Sequence, residues 1–99
     1  MMSKAIVLSE KDNVATALDE LKESEEVTIR NGEDRVIKIL QDIPFGHKFA
    51  TRNIELGEEI LKYGEVIAKA TVSIKEGAHV HVHNVESLRG RGDLVSQEE

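Results

Sequence analysis

The sequence of 99 residues has no cysteine, no tryptophan and only one proline, and aromatic residues make up 3% of it. Without cysteine there are no disulfides and no thiolate ligands, so a metal would need histidine, carboxylate, carbonyl or water ligands. With so few aromatic residues, the core is expected to be aliphatic. A chain of this length fits one small domain with a modest core. If it belongs to an enzyme, we expect a subunit rather than a complete catalyst.

Long apolar runs and an excess of basic residues are also missing. No run approaches the roughly 20 residues of a membrane-spanning helix, and the N-terminus lacks the apolar segment of a secretory signal. The formal net charge of −6 argues against nucleic acid or an anionic membrane as the main partner. We therefore expect a cytoplasmic protein.

Three of the four histidines lie within five residues, in His79-Val80-His81-Val82-His83. Alternate side chains of a strand share one face, so this run predicts a strand with its histidines on one side and its valines towards the core. Imidazole binds metals and changes its charge near neutral pH. The row is therefore a candidate metal, anion or proton-transfer surface. An ordinary solvated strand face is the alternative.

A short pattern occurs three times, at residues 43–49, 54–60 and 74–80. It consists of isoleucine, two residues, glycine, two residues and an apolar residue. The glycine can supply the turn conformation, and a strand is expected to follow directly. His47 follows the first glycine and would join the histidine row if the first and third copies lie side by side. A surface turn residue is the alternative for His47.

The segment before these repeats predicts a helix. Val14, Leu18 and Leu21 recur at helical spacing, and Asp12 is placed to cap the first turn. We therefore expect an amphipathic helix over residues 13–24 that covers a sheet.

Alternating apolar residues follow in segment 26–40, around the turn dipeptide Asn31-Gly32, and predict a hairpin. Short strands joined by glycine turns are expected over residues 43–84. The fold class is thus mainly β with one N-terminal helix. Residues 1–85 form the predicted domain, and residues 86–99 form a polar tail that contains arginine and glycine.

The tail contains a second candidate site, Arg89-Gly90-Arg91-Gly92-Asp93. Arginine binds carboxylates and phosphates through two parallel hydrogen bonds, and the glycines would let the backbone approach an anion. In an acidic protein, this segment favours an anionic small molecule. A flexible linker with incidental charge is the alternative.

Three stretches together, 42–50, 60–68 and 77–84, resemble the altronate/galactarate dehydratase family. They occur in the same order as in that family. The chain is more closely similar to the separately encoded small subunits of that family, such as the alpha subunit of sulfolactate sulfo-lyase, in which a segment like 89–93 also follows the histidines. The opening Asp12-Asn13-Val14-Ala15 is similar as well. The resemblance covers about residues 10–93.

This resemblance implies an SAF domain with a β-clip fold. It also implies a lyase that removes water from a sugar acid, or sulfite from a sulfonated hydroxy acid, using a divalent metal such as iron. In that family the catalytic body is a much larger domain or subunit. The chain would then be a small subunit that completes the active site of a large dehydratase-like partner, which supplies most of the metal site. Alone it is expected to be inactive, and self-association in isolation stays open.

The predicted site residues follow from these arguments. The catalytic candidates are His81 and His83. The substrate-binding candidates are Arg89, Arg91, Asn84 and His47. The metal candidates are His79, His81 and His83, with any metal shared with the partner. The alternative function is a non-catalytic module that binds a sugar acid or tethers the larger subunit.

Overall fold

The computed structural model describes residues 4–31 and 33–87. Within these ranges the chain forms nine strands and no helix. The strands are β1 Ala5–Ile6, β2 Val14–Ala17, β3 Glu26–Asn31, β4 Glu33–Lys38, β5 Lys48–Ala50, β6 Glu59–Lys62, β7 Glu65–Ala70, β8 His79–Val80 and β9 Val85–Ser87. The same ranges contain no helix long and apolar enough to cross a membrane.

The strands form three antiparallel sheets. The largest has the order β1-β2-β5-β8, the second is the β3-β4 hairpin, and the third has the order β6-β7-β9. The buried apolar residues form two separate cores. Val14 and Ala15, which are neighbours on β2, belong to different cores, and so do Phe49 and Ala50 of β5. Because neighbours on a strand point to opposite faces, the largest sheet is buried on both sides.

The predicted helix over residues 13–24 is wrong. Val14–Ala17 is a strand, and Leu21 forms an isolated bridge with Ile43. A strand buried on both faces has consecutive apolar residues, and periodicity cannot distinguish such a run from a buried helix. Leu18 is 47% exposed, unlike a helix position that faces a core. The fold is therefore all β in the described part of the chain.

Asp12 closes a distant turn instead of capping a helix. Its side chain is buried, and its carboxylate accepts the backbone N–H groups of Tyr63 and Gly64 at 3.0 and 2.8 Å. These two residues connect β6 to β7, and both have positive φ, 59° and 74°. A tyrosine in this conformation is unusual, and the buried carboxylate holds its backbone there.

Asn13 extends the same connection one residue further. Its side chain is fully buried. Like a backbone peptide group, its amide makes one hydrogen bond as a donor and one as an acceptor. The amide donates to the carbonyl of Glu59 and accepts from the N–H of Leu61, both at 2.9 Å. This contact lies at the point where the pairing of β6 with β7 shifts register. The two polar residues therefore join β2 to the third sheet.

The glycine pattern forms turns at all three predicted positions, and a fourth copy occurs in the described chain at 21–27. We name the copies turn units 1 to 4, at 21–27, 43–49, 54–60 and 74–80. Ser24 stands in unit 1 where the others have glycine, and its φ is 76°. Units 1 and 2 pair through a bridge between their first residues, and so do units 3 and 4. The bridged pairs are Leu21 with Ile43 and Ile54 with Ile74.

The predicted hairpin is confirmed by the pairing of β3 with β4. Its register opposes Val27 to Ile37, and both are buried in one of the two cores. Gly32, half of the predicted turn dipeptide, lies outside the described residues.

The histidine strand is shorter than predicted. β8 ends at Val80, and residues 81–84 turn. Asn84 closes this turn, because its side chain accepts the N–H of His81 at 3.0 Å and donates to the carbonyl of His79 at 2.8 Å. Val82 is 80% exposed, so the prediction that it faces the core is wrong, whereas Val80 is buried.

Candidate functional site

The pairing of β5 with β8 places turn units 2 and 4 side by side. In this register Lys48 opposes Val80 and Phe49 opposes His79. The condition under which His47 would join the histidines is therefore met, although the two units are far apart in the sequence.

His47, His79 and His81 form what we call the histidine cluster. Nδ1 of His47 lies 2.9 Å from Nε2 of His79, and one nitrogen from each of the three rings lies within 4.8 Å of the others. The His47 ring stacks on both neighbours, with centroid distances of 5.1 Å to His79 and 4.4 Å to His81. His47 and His79 are half-buried, whereas His81 is exposed.

His83 lies at the edge of this cluster. Its ring is tilted by 41° to that of His79 at a centroid distance of 5.3 Å. Its nitrogens are not among those that converge in the described residues. Of the predicted metal set, the structure therefore groups His79 and His81 with His47 rather than with His83.

The electrostatics of the cluster favour the neutral forms of His79 and His81. The pKa of His79 is lowered to about 4, first by burial and then by the neighbouring charges of His47, His83 and His81. The pKa of His81 is lowered too, by loss of hydration first and then by His47. A neutral imidazole has one nitrogen lone pair free to bind a metal or accept a hydrogen bond.

The separation of His47 and His79 fits a divalent metal. Two nitrogens bound to one ion at about 2.1 Å are separated by roughly 3.0 Å at a right angle and 3.4 Å in a tetrahedron. The His47–His79 separation of 2.9 Å is close to the first of these values. Without an ion, the same distance fits a hydrogen bond between two neutral rings, one donating and the other accepting.

A cavity of about 370 Å³ lies beside the cluster. His81 belongs to both, so the cavity and the cluster form one continuous site. Its walls are largely apolar, and its polar groups include Lys48, Lys62 and Tyr63. The pKa of Lys48 is lowered by burial and then by the positive charge of Lys62.

Neither lysine is among the site residues predicted from the sequence. A single lysine carries no spacing signal, but Lys48 does occupy the position in unit 2 that His79 occupies in unit 4. Comparing the repeats position by position would have marked it. Lys62 directly precedes the Tyr63-Gly64 turn, and its ammonium group lies 5.1 Å from the centre of the Tyr63 ring.

The remaining predicted residues differ in what the structure says of them. Arg89 and Arg91 lie outside the described residues. Asn84 is buried, and its side-chain amide accepts the N–H of His81 and donates to the carbonyl of His79 in β8. Its observed role is to shape the segment that carries His81, and contact with a substrate stays a prediction.

The chain matches the altronate/galactarate dehydratase SAF domain over residues 3–88, and it belongs to this family. It is 42% identical over 76 residues to altronate dehydratase of Escherichia coli strain K12, covering 77% of this chain and 15% of that protein. It is 34% identical over 86 residues to altronate dehydratase of Bacillus subtilis strain 168, covering 87% and 17%.

A second kind of relative is named as a subunit. The chain is 41% identical over 59 residues to the (2R)-sulfolactate sulfo-lyase subunit alpha of Chromohalobacter salexigens, covering 58% of this chain and 63% of that subunit. The chain thus spans a small part of the dehydratases that it matches, and less than two thirds of this subunit. Dehydratases and sulfo-lyases are both lyases, so the family is one of lyases.

Proposed function

We propose that the chain is the SAF-domain component of a lyase that acts on a sugar acid or a related hydroxy acid. It completes an active site that lies mostly on a larger partner. The observation that carries this proposal is the convergence of His47, His79 and His81 from two separate turn units. The names of the relatives support it, because both kinds denote elimination reactions on hydroxy acids.

Elimination from a hydroxy acid needs two things from the protein. A base must take the proton from the carbon next to the carboxylate, and positive charge must stabilise the negative charge that develops there. A base works best when its pKa is near the working pH. With a pKa of about 4, His79 is a weak base at neutral pH and suits a ligand or positioning role. We assign the proton transfer to His81, which lines the cavity.

A divalent metal, when bound, would supply Lewis-acid polarisation of an oxygen of the acid. His47 and His79 would hold it, with His81 as a third ligand if His81 is not the base. These two assignments of His81 exclude each other, because a nitrogen bound to a metal cannot take a proton. Imidazole ligands suit several first-row metals, and a partner subunit would complete the coordination.

Tethering of the larger subunit is the alternative function. It is favoured by two large apolar side chains at the tips of the turn units. Phe45 of unit 2 is 70% exposed and Leu56 of unit 3 is 67% exposed. In this alternative all chemistry takes place on the partner.

The test is the reconstituted complex with its large partner, assayed for elimination on a panel of sugar acids and sulfonated hydroxy acids. We expect no turnover by this chain alone. His81→Gln should lower the rate of the complex about a hundred- to ten-thousand-fold if His81 is the base. Metal content separates its two roles, since loss of a base leaves the metal in place and loss of a ligand does not.

The control is Lys75→Gln, an exposed position on unit 4, which should keep the wild-type rate. Wild-type rates and metal content in His47→Gln, His79→Gln and His81→Gln would contradict the catalytic proposal. That result would leave tethering as the function.

A further inference from the structure

We infer that the cavity beside the histidine cluster binds the anionic group of an acid ligand, a carboxylate or a sulfonate, between Lys48 and Lys62. The inference deepens the proposed function and rests on it for the kind of acid. The charge and shape of the cavity carry the rest of the argument.

The cavity wall differs in charge from the chain as a whole. The chain has 19 acidic residues against 13 basic ones, yet no described residue that lines the cavity is acidic. Two lysines and a histidine line it instead. The cavity is therefore a positive site within a negative protein, and a positive cavity of this kind attracts small anions.

Neither lysine has a carboxylate partner within residues 4–31 and 33–87. The ion pairs found there use other cations, for example Lys4 with Glu25 and Lys22 with Glu20. Lys48 is instead half-buried, and it lines the same cavity as Lys62. An anion between the two ammonium groups would offset their mutual repulsion and the loss of hydration at Lys48.

The cavity also has an apolar floor, which includes Ile60, Ala68, Val80 and Val85. Apolar walls exclude water and strengthen the attraction between an anion and the lysines. A volume of about 370 Å³ lies within the usual range for small-molecule sites. A ligand whose anionic group lies between the lysines would extend its carbon chain along this floor.

His81 connects the cavity to the proposed proton transfer. It lines the cavity and belongs to the histidine cluster, and Lys48, the first residue of β5, directly follows His47 of that cluster. An acid held by the lysines would therefore present its neighbouring carbon atoms towards His81. Lys48 and Lys62 would act as binding residues for the ligand.

The test is binding of small acids to the isolated 99-residue chain, followed by NMR of its backbone amides. The probes are galactarate, sulfolactate and inorganic sulfate, with galactose as a neutral sugar. We expect the acids to shift amides near Lys48, Lys62 and His81, and galactose to shift none of them. Because no partner and no turnover are needed, a failed lyase assay would not affect this result.

Lysine variants test the assignment. Losing a charged hydrogen-bond partner should weaken binding about tenfold or more in Lys48→Met and in Lys62→Met. Lys48→Arg should retain most of the affinity, because it keeps the charge. Lys69→Met, an exposed position on β7, should bind as the wild type does. The amide spectrum of each variant verifies its fold, and Lys62→Gln replaces Lys62→Met if the latter is unfolded.

Equal affinity of the lysine variants and the wild type would overturn the inference, and so would binding of galactose or failure of every acid to bind. If the lysine variants instead lose the partner subunit while acids never bind the chain, the lysines contact a carboxylate of that subunit. That result would also overturn the inference.

Discussion

The four turn units have the same backbone but two different chemistries. In units 1 and 3 the residue after the turn apex is a glutamate, Glu25 or Glu58. Each carboxylate accepts a backbone N–H from three residues earlier, at 3.0 Å, from Lys22 and Glu55 respectively. These two units are thus closed by their own side chains.

Units 2 and 4 lack this glutamate and carry the candidate site. In unit 2 the residue that would donate the N–H is Pro44, which has none, so no carboxylate is needed and His47 occupies the position. In unit 4 the position is Ala78, and the next residue, His79, contacts His47. The comparison teaches that the closing carboxylate is dispensable for this turn, which leaves the position available for functional residues.

The largest expected effect concerns the apex glycine of unit 4. Gly77 and Gly57 both have φ of 87°, but an added Cβ at Gly77 would lie 2.0 Å from the carbonyl oxygen of Lys38, whereas at Gly57 it would meet nothing within 4 Å. Gly77→Ala should therefore lower the free energy of unfolding by about 3 kcal/mol or more, because a backbone group must move. Gly57→Ala should cost about 1 to 2 kcal/mol from its φ alone.

Urea unfolding of both variants measures this difference. Equal losses at the two glycines would show that the close approach at Gly77 relaxes without cost, so that units 3 and 4 tolerate an added Cβ equally.

The second prediction concerns the pH dependence of unit 4. Because the pKa of His79 is lowered to about 4 in the folded chain, the unfolded chain binds its proton more tightly. The stabilisation is therefore present above pH of about 6.5 and is lost as pH falls towards 4. The largest possible loss is about 3 kcal/mol, and partial exposure of the ring reduces it.

His79→Gln should flatten this part of the stability–pH curve, as measured by unfolding between pH 4 and pH 7, whereas Lys75→Gln should not. A curve of unchanged slope in His79→Gln would contradict the assignment of this pH dependence to the cluster.

The third and smaller effect concerns the closing carboxylate of unit 3. Glu58→Gln should lower the free energy of unfolding by about 0.5 to 1 kcal/mol, because an exposed charged contact contributes little. The pKa of Glu58 is lowered first by its hydrogen bond to Arg52 and then by the bond from Glu55. The contribution is therefore present above the ordinary carboxyl pKa and is lost as pH falls through the lower value of the folded state.

Thermal or urea unfolding at pH 7 and pH 3 measures this contribution, with Glu55→Gln as the control because Glu55 provides only its backbone N–H to the bond. A loss in Glu58→Gln that is the same at both pH values would contradict this account.

The smallest effect is expected at Ser24, which adopts a φ of 76° at the apex of unit 1. Ser24→Gly should raise the free energy of unfolding by up to about 1 kcal/mol, because glycine removes the steric strain but has more freedom to lose on folding. Ser24→Ala keeps the strain and should not stabilise. A destabilised Ser24→Gly would show that the serine side chain makes a needed contact.

The strands around the glycine turns could be predicted because glycine and alternation are local signals. The helix over residues 13–24 was predicted wrongly because burial of β2 on both faces is a tertiary property that no local spacing reports. Unit 1 was not predicted either, because it has Ser24 at the position where the pattern requires glycine. That a serine adopts a positive φ there is visible only in the structure. The role of Asp12 depends on a turn 51 residues away in the sequence.

The candidate site was predictable in part. His79 and His81 were identified from their spacing, and the condition for adding His47 was stated correctly. The alternation argument failed after Val80, because a side chain, Asn84, ends the strand and turns the chain. Lys48 could have been chosen by comparing the repeats, because it occupies the position of His79 in unit 4. Lys62 could not, because only the cavity that it shares with Lys48 distinguishes it.

The distance along the chain between the clustered histidines has a consequence for folding kinetics. His47 and His79 are 32 residues apart and meet only when β5 and β8 pair. Pairings between distant segments form slowly, because the chain loses the entropy of closing a long loop before the new contacts stabilise it. A ligand held by both rings would act as a reversible cross-link between these strands and would stabilise the native state by mass action. Its binding would thus slow unfolding while leaving the early steps of folding unchanged.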